Sequence, residues 1–100
     1  MTNKVFDFED VQTEGGLSKI ISRMNKSFEV SERVYEKIKW VCSGIGYYYD
    51  ISKIKFRDKK ITEAFAVNFS SIRGEDFSHI FCKFEENGVE RFFYVKEKKI

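Results

Sequence analysis

Proline is absent from this 100-residue chain, histidine occurs once and cysteine twice. Each scarcity removes a class of explanation. Without proline-, glycine- or serine-rich stretches or repeats there is no visible linker, so residues 1–100 read as a single α+β domain. Cys42 and Cys82 each lack a second cysteine nearby, which excludes a disulfide framework and a zinc-ligand spacing. Both sit among apolar residues and read as buried free thiols. Gly-rich phosphate loops, His-Glu-x-x-His and Cys-x-x-Cys are missing, so no cofactor or metal is implied. The longest uncharged stretch, Trp40 to Tyr49, is half of what a membrane span needs (~20 residues). Residues 1–14 set Lys4 against Asp7, Glu9, Asp10 and Glu14 and carry no basic start followed by an apolar run. A cytoplasmic location, with no membrane and no metal, is the expectation.

Rings are what the chain has in excess: eleven Phe, five Tyr and one Trp. A core built on them can offset ordering entropy without covalent staples. Val5 to Phe8 reads as a short first strand. Leu17, Ile20, Ile21, Met24 and Phe28 follow helical spacing. Ser31 is a good N-cap for a second helix, with Val30 before it able to pack on Tyr35. Val34, Ile38, Val41 and Ile45 line one face of that helix, and Gly44 or Gly46 marks its stop. Trp40 lies about 120° off this stripe. It is either buried under a flanking strand or part of a contact surface. From Tyr47 the period becomes two: Tyr47–Tyr49 and Ile54–Phe56 suggest a strand with a face switch. Ile61, Phe65, Val67 and Phe69 suggest another. The expected architecture is two helices on one face of an antiparallel sheet of four or five strands, in the order (β)ααββββ.

The carboxy-terminal ribbon is the best-defined unit. Asn87-Gly88 between two aromatic runs suits a type I′ turn, which needs positive φ at both central residues. A two-residue loop sets Cys82 opposite Phe93 on one side, and Phe81 opposite Tyr94 with Lys83 opposite Phe92 on the other. Both sides then carry rings, and a sheet covered on one face needs only one such side. Phe81, Phe92, Tyr94 and Trp40 are therefore the expected partner-binding residues, for another protein or for a second copy of the chain.

A second reading rests on charge. Lys53, Lys55, Arg57, Lys59 and Lys60 cluster against Asp58 alone, just after Tyr48. Cations tracking phosphate beside a stacking ring are how single-stranded nucleic acid is held. The element order (first strand, two helices, then an antiparallel sheet) is similar to that of the RelE/ParE toxin superfamily. That resemblance implies a ribosome-dependent RNase, for which Arg73, Arg91, Lys96 and Tyr94 could be recruited. His79 on its strand, and the carboxylate pairs Glu75-Asp76 and Glu85-Glu86, read as structural or solvated groups.

With no catalytic constellation, the leading expectation is a non-enzymatic protein-binding module. Small, proline-free, Lys-, Ile- and Phe-rich chains look like products of AT-rich bacterial or phage genomes, where many short proteins inhibit or adapt larger complexes. The alternative is an RNA-binding or RelE-like RNase function using residues 53–60.

Overall fold

The computed structural model describes residues 4–23, 27–43, 51, 54, 60–67 and 77–98. Among them lie β1 (Val5–Phe6), α1 (Phe8–Thr13), α2 (Leu17–Arg23), β2 (Phe28–Val30), α3 (Glu32–Ser43), β3 (Ile61–Val67), β4 (Phe77–Glu86) and β5 (Val89–Lys98). The five strands form one sheet in the order β1-β2-β5-β4-β3, antiparallel except for the β1–β2 pair. The α+β class and the aromatic hairpin are as expected. Three helices and the three-residue β2 replace the expected two-helix start.

Local chemistry explains the change. Asp7 ends β1 by capping α1: its carboxylate accepts from the Phe8 amide at 2.9 Å, while the Asp7 amide donates to Asp10 at 2.9 Å. These reciprocal bonds satisfy amides that would otherwise be orphaned at a helix start. Ser31 caps α3, accepting from the Val34 amide at 3.2 Å, and its hydroxyl also donates to the Asp7 carboxylate at 2.8 Å. The two caps thus join, which fixes β1 parallel beside β2. Phe28, at helical spacing from Leu17, is in β2 because its ring stacks on Tyr94 at 4.9 Å across the β2–β5 ladder. Tertiary pairing overrides the period there. Met24 lies outside the described residues, as do the expected strand segments 47–49 and 55–56, and Gly44, Ile45, Gly46 and Phe69.

The β4–β5 hairpin pairs residue for residue from Phe77 with Lys98 to Glu86 with Val89. Asn87 at φ 54° and Gly88 at φ 78° form the turn, the left-handed geometry that this dipeptide supplies at least cost. In β3 an irregularity between Ile61 and Glu63 turns Ile61 to the face opposite Phe65 and Val67.

Both faces of the sheet are buried. On one, Phe65, Val67, Phe81, Phe92 and Tyr94 pack against Ile20 and Ile21 of α2 and Val34 and Tyr35 of α3. On the other, Ile61, Ala64, Ile80, Cys82, Phe84, Phe93 and Val95 form a second cluster with Ile54. Burial pushes the Cys82 thiol up to about 12, so it is an inert free thiol. No helix among the described residues is long and apolar enough to cross a membrane.

Candidate functional site

The structure divides the expected partner-binding residues. Phe81 and Tyr94 are wholly buried and Phe92 nearly so, all three beneath the helices. Phe81 stacks on Phe65 at 5.9 Å and meets Tyr94 edge-on at 5.5 Å, while Phe92 lies against Tyr35 at 4.8 Å. The chain itself hides these rings, so they are core and offer no docking face. Counting the rings as surplus assumed a sheet with one covered face; this sheet has two.

Trp40 is the opposite case, at 78% exposed, and Val41 beside it is 58% exposed. The reason lies in how α3 is anchored. Tyr35 Oη donates to Glu63 Oε1 at 2.8 Å, and Lys39 Nζ donates to Glu63 Oε2 at 2.8 Å. These two hydrogen bonds to β3 turn Val34, Tyr35, Ile38 and Lys39 toward the sheet. Trp40 and Val41 are left outward, so Val41 leaves the buried stripe expected for it. Burial works to raise the Glu63 carboxyl, but Lys39 and the Tyr35 hydroxyl outweigh it and hold the group below its ordinary value. Burial, then the Glu63 acceptor, push the Tyr35 phenol far above its own.

Glu63 shares its depressed state with Asp7, held down first by the Ser31 hydroxyl, and Asp10, held down by the Asp7 amide. A carboxylate depressed in the folded state contributes stability above its unfolded pKa and loses it as pH falls through the folded one. The urea midpoint is therefore expected to be level from pH 7 to about 5 and to drop below about pH 4. Glu63→Gln should flatten that drop; an unchanged acid limb would show that the clamp carries no linkage.

Around Trp40, the outward side of α3 carries Glu32, Arg33, Glu36 and Lys37, all exposed. Lys37 Nζ sits over the Trp40 ring at 5.7 Å, and the Arg33 guanidinium over the Phe8 ring of α1 at 5.3 Å. Arg33 also reaches Asp7 at 3.3 Å in an exposed pair. Phe8, itself partly exposed, Arg33, Lys37, Trp40 and Val41 thus form one ridge along α1 and α3. Tryptophan and arginine, here on one exposed helix side two turns apart, are residue types enriched at interface hot spots.

Of the basic cluster, Lys53, Lys55, Arg57, Lys59 and Tyr48 lie outside the described residues, and Lys60 is exposed. Of the residues that the toxin resemblance would recruit, the described ones, Arg91, Tyr94 and Lys96, are not gathered into one site. Arg73 lies outside the described residues. Tyr94 is buried, with its hydroxyl 2.7 Å from His79 Nδ1. Arg91 falls on the other face of the sheet from Tyr94 and Lys96, since odd and even positions of β5 point apart. There it grips both oxygens of Glu29, at 3.1 and 2.7 Å, and also Glu86. The Glu29 carboxylate, more than partial burial can counter, holds the guanidinium further up than usual. Arg91 is thus a brace between β2 and the hairpin. His79 is buried, with its ring stacked against Tyr94. Among the described residues no group of His, Cys, Asp and Glu is arranged to hold a metal.

Comparison with protein families, with curated proteins and with solved structures finds no match.

Proposed function

We propose that this chain is a non-enzymatic protein-binding module that docks through the Trp40 ridge of α3. One observation carries the reading: among the described residues the rings of Tyr35, Phe65, Phe81, Phe84, Phe93 and Tyr94 are buried on the two sides of the sheet, yet the single tryptophan is 78% exposed on a helix whose opposite side is clamped. A large apolar side chain displayed on a rigid element is a form that binding anchors take.

The test is affinity capture from the source organism's lysate, run with wild type and Trp40→Ala and with and without RNase. Capture that survives RNase and falls at least about tenfold with Trp40→Ala is the expected result. Capture indifferent to Trp40 overturns the reading. Capture abolished by RNase transfers the function to the basic 53–60 segment.

A further inference from the structure

We infer that the occupant of the Trp40 ridge is a second copy of this chain, with α3 packed side by side and parallel to its mate about a two-fold axis. This rests on the protein-binding reading above and names its partner.

The argument is self-complementarity. At 3.6 residues per turn, Arg33 and Trp40 stand two turns apart and about 20° from each other, which makes them the crest of the exposed side. Glu32 and Glu36 fall together on one flank of Trp40, about 80° and about 40° away. Lys37 falls on the other flank, about 60° away, with Val41 beyond it and Arg33 leaning to the same side. The outward face of α3 is therefore acidic on the left of its tryptophan and basic on the right. All four charged residues are exposed.

A two-fold axis parallel to the helix turns the left flank of each copy toward the right flank of the other at the same height. Glu36 then meets Lys37 of the mate, and Glu32 meets Arg33, each twice by symmetry. Trp40 packs on Trp40, with Val41 beside it. An antiparallel pairing would set like flank against like flank and oppose Glu36 to Glu36. The Arg33 guanidinium already stacks on Phe8 at 5.3 Å with one face, which leaves its planar second face for the seam. Its bond to Asp7 is exposed at 3.3 Å and so costs little to exchange. One helix face and one neighbouring ring make a small interface. Association is therefore expected to be reversible, in the range of about 10 µM to about 1 mM.

The measurement is sedimentation over that range, with Trp40 emission as a second readout, since no other tryptophan contributes. Wild type should rise toward twice the monomer mass while its emission shifts to the blue. Glu36→Lys and Lys37→Glu should each weaken association about tenfold or more. Their equimolar mixture should recover it, because each variant supplies the charge that the other lacks. Circular dichroism of each variant controls for folding. A wild type that stays monomeric up to about 1 mM, or a mixture that associates no better than either variant alone, overturns the dimer. Failure here with Trp40-dependent capture intact means that the ridge serves a different protein. Failure of both removes the binding reading itself.

Discussion

Phe81→Ala is expected to destabilise the chain by about 3–5 kcal/mol and to lower the melting temperature by more than about 10 °C. Phe81 sits between Phe65 and Tyr94 with no exposed surface, in the middle of a central strand. Removing its ring forfeits transfer energy and leaves a cavity that the ladders on both sides of β4 prevent from closing. Trp40→Ala, on the helix surface, should change stability by less than about 1 kcal/mol. Thermal or urea denaturation of the two variants separates a core ring from a contact ring. A Phe81→Ala loss below about 1 kcal/mol would mean that the ring is accessible, and would restore it as a docking residue.

The second large effect is at Arg91. Its guanidinium holds both oxygens of Glu29, whose side chain is only 11% exposed. Arg91→Ala leaves that carboxylate with little water and with no cation paired to it among the described residues, at a cost of about 2–4 kcal/mol. Much of this is the stranded charge itself. The double variant Arg91→Ala with Glu29→Leu should therefore be more stable than Arg91→Ala alone, a non-additivity that urea unfolding reads directly. Equal stability of the single and double variants would refute the brace. The same experiment bears on the toxin resemblance, because an arginine committed to Glu29 shows its loss in folding.

The hairpin was legible because Asn-Gly fixes its own loop length, and loop length fixes every cross-strand pair. The Ser31 cap was legible for a similar reason: it depends on residues three positions apart. What escaped depends on distant partners. Phe28 fits a helical period and is a strand only because Tyr94 lies beside it. The Asp7–Asp10 cap was hidden in what read as an extended start, and its purpose appears once Ser31 is seen to bind it. Ile61 and Phe65 share a period-two pattern, and only the irregularity at β3 shows that they face apart. For the candidate site, the off-stripe position of Trp40 was visible at 100° per residue. Which way the helix rolled was not, because Glu63 decides it from β3, 28 residues from Tyr35.

The strand order has a kinetic consequence. β2 pairs with the main sheet through Phe92 to Tyr94 of β5, so although α2 and α3 can rest on β3 and β4, the β1–β2 edge gains its place in the sheet only once β5 has been made. The rings of Phe6 and Phe28 wait until then for Tyr94, on which Phe28 stacks. Contacts so far apart in sequence close slowly, and a waiting aromatic segment invites aggregation or a holding chaperone. A nascent chain stopped before residue 92 should leave β2 without its β5 partner and Phe28 open to other aromatic surfaces, and release of residues 92–94 should seat it.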